Sequence, residues 1–407
     1  MDALILSCGT GGGHDAAGKA VMEKLIERGH HVTMLNPYTI KSEKLSRGIN
    51  QTYISIVQYM PDGFGFIYKI GDLYRKLPFR SPVYYVNGAM NGNMQAYLDE
   101  HPADIVIMPH LFPAEILTNM KLHGCNIPKT MFIATDYTCI PFTEETQCDA
   151  YVIPGRDLLP EFAGRGIPKE KLYPIGIPVG GRFCPDHEAK PEKYGLLSET
   201  KLVVPDIKKD ACDTKAGASD DELKEIVRRR LGLLPQKKYV LIAGGSMGGG
   251  KIRKAVEKLR AHFAGREDVE LIVVCGSNEK LLKKLKEHPF DRELLMGYTE
   301  QMADYMLACD LFITKPGGLS STEAAACHVP ILHTAVIPGC ESRNAKYFNA
   351  HGLSEMGELS DGFLEKVDLI LEDPQVAAQM ILCQKNTING KAAEDICRLA
   401  EEMVGKG

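Results

Sequence analysis

The sequence predicts an α/β protein made of two nucleotide-binding-type domains that face each other across a cleft, and three observations carry that prediction. Gly9-Thr10-Gly11-Gly12-Gly13-His14 directly follows the apolar run Ala3-Leu4-Ile5-Leu6. Far downstream, Lys315-Pro316-Gly317-Gly318 follows Asp310-Leu311-Phe312-Ile313 and leads to Glu323. Along the whole chain, short near-continuous apolar runs alternate with helical periodicity, the pattern of parallel sheets covered on both faces. Each glycine turn joins a strand to a helix. Glycine lets backbone amides approach an anion closely, and the helix N-terminus adds partial positive charge.

In chain order, a strand at 3–7 precedes a helix from His14 to Arg28, with Ala17, Ala20, Val21 and Leu25 on its apolar side, and a strand follows at 31–35. Segments 104–108, 130–134 and 150–153 read as buried strands. A second series opens at 239–243 and continues through 271–274, 294–296, 311–313 and 331–332. Between the series, 184–221 is polar and rich in lysine, aspartate and proline. It reads as a linker with a surface insertion, because ~38 residues without strong periodicity is long for a simple connection. The tail at 389–404 is helical, with Ala392, Ala393, Ile396, Leu399 and Met403 on one face. The expected division is a first domain at 1–180, with the helix of 390–407 packing back on it, and a second at 181–389 that includes the insertion.

A length of 407 residues exceeds what one core organises, which also favours two domains. The net charge of −5 argues against a nucleic-acid binder. No apolar run reaches the ~20 residues that span a bilayer, and the start reads straight into a strand with no basic leader, so a cytosolic location is expected. The twelve cysteines form no CxxC pair, which indicates neither a zinc site nor a disulfide scaffold and fits a reducing compartment.

Segment 41–98 holds ten of the 29 aromatic residues, among them Tyr68 and Phe79, and seven basic residues, among them Arg75, Lys76 and Arg80, against three acidic ones. Mixed rings and cations suit an anionic membrane surface. The other reading is a helical subdomain with aromatic core positions.

Four motifs point to a nucleotide-sugar. The run Gly244-Gly245-Ser246-Met247-Gly248-Gly249-Gly250 follows a strand, so its amides and the Ser246 hydroxyl suit a diphosphate. Glu323, one turn into the helix after Gly317-Gly318, either accepts hydrogen bonds from ribose hydroxyls or closes a capping box with Ser320. Tyr298 and Met302 sit at a strand end, where open α/β sheets bind ligands, and suit a uracil ring. Pro338-Gly339 forces a turn into a helix start that aims Glu341 and Asn344 at the cleft to read sugar hydroxyls; alternatively, Glu341 only offsets the helix dipole.

GTGGGHDAAGKA, Thr135-Asp136-Tyr137, IGIPV at 175–179, GGSMG, GYTEQM, TKPGGLSSTEA and PGCESRN together resemble the monogalactosyldiacylglycerol synthase and processive diacylglycerol glucosyltransferase family. That family belongs with the peptidoglycan N-acetylglucosaminyl transferase in the two-Rossmann GT-B fold. The resemblance implies UDP-glucose or UDP-galactose as donor, diacylglycerol as acceptor, an anionic membrane as partner, and no metal ion or other cofactor. Carried over by position, His14 is the general base or an oxyanion-side hydrogen bonder, and Asp136 the acidic residue near the acceptor. Gly12, Gly13, Gly244, Gly245, Ser246, Met247, Gly248, Tyr298, Met302, Gly317, Gly318, Leu319, Glu323, Cys340, Glu341 and Asn344 surround the donor. Tyr68, Arg75, Lys76, Phe79 and Arg80 meet acceptor and membrane. Where the family reads Pro-Gly-Gln-Glu, this chain has Pro338-Gly339-Cys340-Glu341, a thiol in place of an amide that contacts the donor sugar. The expected reaction is inverting hexosyl transfer to diacylglycerol at the inner face of the plasma membrane. Alternatives are a polyprenyl-linked acceptor, a UDP-sugar epimerase, and a catalytically idle nucleotide-sugar or lipid-binding protein.

Overall fold

The computed structural model describes residues 1–9, 12–43, 48, 79–184, 220–246, 248, 251–334, 338–359 and 362–405. Among the described residues, twelve strands form two six-stranded parallel sheets. The first has the order β2-β1-β3-β4-β5-β6, from β1 (Asp2–Leu6), β2 (His31–Leu35), β3 (Ile105–Met108), β4 (Lys129–Ile133), β5 (Ala150–Val152) and β6 (Leu172–Tyr173). The second has the order β12-β11-β10-β7-β8-β9, from β7 (Lys238–Ala243), β8 (Val269–Val274), β9 (Glu293–Met296), β10 (Leu311–Thr314), β11 (Ile331–His333) and β12 (Glu355–Met356).

The central strands are apolar along their length because helices cover both faces. Ile5 lies between Met34 and Ile107, and Ile242 between Val273 and Ile313, all in parallel register. The order in each sheet reverses once, between β1 and β3 in the first and between β7 and β10 in the second. Ligands of open α/β sheets bind outside the strand ends at such reversals. Both glycine turns of the sequence follow strands that border one.

The final helix (Ala392–Gly405) leaves the second sheet and packs on the first helix (Gly12–Glu27). Ile396, Cys397 and Ala400 are buried with Val21, Leu25 and Ile133. At the rim, Arg28 pairs with Glu394 at 2.7 Å and with Glu401 at 2.6 Å. The short helical turn Gly181–Phe183 packs on the helices Met302–Ala308 and Gly318–Ala326 of the second sheet; the expected insertion lies almost wholly in 185–219, outside the described residues.

One buried histidine ties the second sheet to the helix Gly318–Ala326. His333, on β11, has Ser321 Oγ 2.8 Å from Nε2 and Ser354 Oγ 3.0 Å from Nδ1, with no exposure to solvent. Burial pushes its pKa down to about 3. Below the ordinary histidine pKa of about 6.5 the unfolded chain takes up a proton that the folded chain refuses, so stability falls as pH drops from there towards 3. Each pH unit costs up to roughly 1.4 kcal/mol. Thermal melts between pH 7 and 5 are expected to show this slope, and His333→Gln should flatten it. An unchanged slope in that variant would assign the acid sensitivity to other groups.

Candidate active site

The first helix begins at Gly12, so His14 stands in its first turn at the mouth of the cleft. Its Nδ1 lies 2.8 Å from the carbonyl oxygen of Pro109, in the loop after β3. A carbonyl only accepts, so Nδ1 carries the proton and Nε2 is the basic nitrogen. Thr135 Oγ1, after β4, lies 2.9 Å from the same Nδ1 and shares that proton. The His110 ring meets the His14 ring edge-on at 4.5 Å. His110 Nδ1 accepts from the Phe112 amide at 3.1 Å, while burial first, and then His14, hold its pKa well below the ordinary value. His14 is thus packed against a neutral ring with its tautomer set by the backbone. It opens on a pocket walled by Leu111, Phe132, Ala134, Ile140 and Phe162, with Asp136, Thr138 and Thr143 as further polar lining.

The two glycine turns meet across the cleft. The Gly12 amide donates to Ser246 Oγ at 3.3 Å, and Gly13 lies opposite Leu319. Gly318 is pressed against the loop after β4, where a Cβ would come 2.0 Å from the Thr135 carbonyl oxygen. Gly248, at φ +57°, has the Cys275 carbonyl oxygen 2.0 Å from where its Cβ would be, so glycine is required for both conformation and space. Gly244 and Gly245 join β7 to this turn; Met247 lies outside the described residues.

Lys315, in the turn after β10, and Glu341, in the first turn of the helix Cys340–Ala350, form an ion pair at 2.6 Å. Burial alone would lower the Lys315 ammonium pKa, but the Glu341 carboxylate outweighs it and the pKa is raised. Lys315 also flanks Gly245. The motif containing it was visible in the sequence, but its role was not, because the partner Glu341 lies beyond another strand.

Glu323 is not part of a capping box. The helix starts at Gly318 with Gly317 as its N-cap, and no side chain caps it. Burial pushes the Glu323 carboxyl up to about 8, and no side-chain hydrogen bond relieves it among the described residues. A diol brought to this carboxyl would supply the missing donors.

Two expectations need correction. Asn344 does not face a sugar site: it is fully buried, donating to Asp136 Oδ1 at 2.7 Å and the Pro316 carbonyl at 3.1 Å, and accepting from the Tyr137 amide at 2.7 Å. The helix Cys340–Ala350 does start at the cleft, with Gly339 as N-cap at φ 121°, but the opposite wall closes on Asn344. Arg80 is not a free surface cation either. Its guanidinium donates to the Glu145 carbonyl at 2.8 Å and stacks on Tyr84 at 4.6 Å, since Tyr84 is a core residue of the helix Pro82–Gly88. Phe79, Tyr85 and Val86 nearby are exposed. Tyr68, Arg75 and Lys76 lie outside the described residues. Tyr298 is 68% exposed at the end of β9, while Met302 packs against the core edge. Cys340 opens the helix beside Glu341.

Comparison with known proteins places this geometry. The model of the monogalactosyldiacylglycerol (MGDG) synthase matches residues 14–179, and that of the glycosyltransferase family 28 C-terminal domain matches residues 239–396. The chain is 25% identical over 412 residues to the processive diacylglycerol beta-glucosyltransferase of Bacillus subtilis (strain 168), covering 99% of this chain and 96% of the relative. It is 25% identical over 383 residues to the same-named protein of Bacillus pumilus (strain SAFR-032), covering 93% and 88%. Among solved structures, MurG of Acinetobacter baumannii superposes with a TM-score of 0.58 at 14% identity, covering 98% of this chain and 99% of that one. The UDP-GlcNAc 2-epimerase from Neisseria meningitidis bound to UDP-GlcNAc gives 0.60 at 11%, covering 98% and 99%. These structural likenesses carry the fold alone, which transferases and epimerases share. With one family model on each half and relatives aligned along nearly its whole length, the chain belongs to the monogalactosyldiacylglycerol synthase and processive diacylglycerol glucosyltransferase group of glycosyltransferase family 28, an enzyme of the GT-B fold.

Proposed function

We propose that the protein transfers a hexose from UDP-glucose or UDP-galactose to the free hydroxyl of diacylglycerol, with inversion at the anomeric carbon. The observation that carries the reading is His14, its Nδ1 proton committed to Pro109, placed on an apolar pocket beside the second domain's glycine turn. The glycerol oxygen attacks the anomeric carbon from the face opposite UDP. As that bond forms, the bond to the β-phosphate oxygen breaks with its electron pair leaving on UDP, and the hydroxyl proton passes to His14 Nε2. Asp136 supplies negative charge beside the sugar as it becomes cationic. The leaving diphosphate is met by amides at 244–248 and 317–318, by Ser246 and by Lys315. On this reading no metal ion is required, and turnover should persist in EDTA.

A lipid acceptor agrees with the relatives' names. No helix among the described residues is long and apolar enough to cross a membrane. The exposed Phe79, Tyr85 and Val86 support docking on the anionic inner face of the plasma membrane. The test is incubation of the purified protein with each UDP-hexose and diacylglycerol: hexosyl diacylglycerol with inverted configuration is expected. Exchange of UDP-sugar epimers without transfer, or transfer only to a polyprenyl-linked acceptor, would replace this reading.

Glu323→Ala is expected to weaken UDP by about 1–3 kcal/mol, the cost of leaving the ribose hydroxyl donors without their acceptor. Calorimetric titration with UDP and a 2′,3′-dideoxy analogue checks this, because the analogue should bind mutant and wild type alike. Equal losses for both ligands would show that the mutation acts through the helix.

A further inference from the structure

The loop that follows β4, which carries Asp136, is held by the opposite domain. Two hydrogen bonds of Asn344 reach that loop, Nδ2 to Asp136 Oδ1 and Oδ1 from the Tyr137 amide, and a third, from Nδ2 to the Pro316 carbonyl, ties the same amide to the turn after β10. These partners fix the amide's orientation, since a flipped Asn344 would set oxygen against the carboxylate and against the Pro316 carbonyl. The surrounding contacts are also between domains. Tyr137 Oη lies 2.9 Å from Thr322 Oγ1, and Arg343 donates to Thr138 Oγ1 at 3.0 Å. Pro316 belongs to the turn leading into the Gly318–Ala326 helix, so a single side chain touches both the donor turn and the acid. Thr135, the hydroxyl beside His14, is the residue before Asp136.

We propose that Asn344 is a positioning residue: it sets the Asp136 carboxylate relative to the donor turn and makes no contact with the donor sugar. This rests on the reading of Asp136 as an acting group in hexosyl transfer. Displacing an acting group by about an ångström costs on the order of 100-fold in rate. Asn344→Ala should therefore lower kcat roughly 10- to 100-fold while leaving the KM for UDP-hexose and the affinity for UDP unchanged.

The experiment compares Asn344→Ala, Asp136→Ala and the double variant for kcat, donor KM, UDP affinity and melting temperature. The double variant should be no slower than Asp136→Ala, because the amide then has nothing left to orient. Tyr137→Phe removes an equally buried interdomain hydrogen bond, and should lower the melting temperature while keeping kcat. If Asn344→Ala does not fold, Asn344→Ser, a polar but shorter side chain that no longer reaches Asp136, should show the same kcat loss. A raised KM for UDP-hexose with UDP affinity intact would make Asn344 a sugar ligand and overturn the proposal. Additive losses in the double variant, or an equal kcat loss in Tyr137→Phe, would also overturn it. Full turnover in Asp136→Ala would instead refute the role of Asp136, whereas a slow Asp136→Ala beside a normal Asn344→Ala refutes positioning alone.

Discussion

His14→Ala is expected to lower kcat by roughly 10²- to 10⁴-fold, the usual range for loss of a general base, with UDP affinity nearly unchanged. The base argument rests on geometry. Pro109 accepts a hydrogen bond from Nδ1 at 2.8 Å, which leaves Nε2 as the nitrogen with a free lone pair, the one the proposed mechanism uses. The UDP expectation follows from the proposed division of labour: Ser246, Lys315 and Glu323, the side chains proposed to hold the donor, all lie on elements of the second sheet. Rapid-mixing measurement of hexosyl transfer, paired with UDP titration, separates the possibilities. Equal turnover would remove His14 from the chemistry. A fall in UDP affinity at unchanged kcat would make it a phosphate ligand.

Gly318→Ala should be nearly as damaging, for a steric reason. The added Cβ would stand 2.0 Å from the Thr135 carbonyl oxygen and 3.1 Å from Asp136 Oδ1. A backbone oxygen has no rotamer into which it can retreat, so either the helix start or the loop after β4 must move. Overpacking of this kind costs typically about 1–3 kcal/mol, and an ångström of displacement at the reacting groups costs on the order of 100-fold in rate. The variant is therefore expected to melt earlier and to lose about two orders of magnitude in kcat/KM. Gly265→Ala, whose Cβ would meet nothing within 4 Å, is the control and should match wild type in both measurements. Wild-type kinetics in Gly318→Ala would mean that the two domains are not closed on one another in solution.

Much of the architecture was legible because the inner strands are buried on both faces and so appear as unbroken apolar runs; β1, β3, β4, β7, β8 and β10 all fall on such runs. The edge strands β6 and β12 were not read. Each has two residues and leaves a partly exposed side chain, so neither writes a pattern into the chain. The first helix begins two residues earlier than its apolar face suggests, because Gly12 and Gly13 join the first turn without contributing to that face.

Within the site, the legible residues follow a strand directly, as His14, Ser246 and Glu323 do, since strand, turn and helix are consecutive in the chain. Pro109, Thr135 and Lys315 owe their roles to contacts between distant segments, and local composition gives no trace of those. Asn344 was misread for the same reason. Its position near a helix start gives its direction, whereas what stands opposite is set by the other domain.

The return of the final helix to the first domain has a consequence for biosynthesis. The groove that receives Ile396, Cys397 and Ala400 is formed by residues made early, among them Val21, Leu25 and Ile133. In the order of translation, the second domain is therefore a guest inside the first: its whole sheet emerges while that groove still faces water. Domains generally fold as units during synthesis, yet here the first domain completes its core only after residues 396–400, beyond the whole second sheet, have emerged. A nascent chain stalled after β12 would present one finished domain and one open apolar surface, a substrate for chaperones rather than an enzyme with a missing tail.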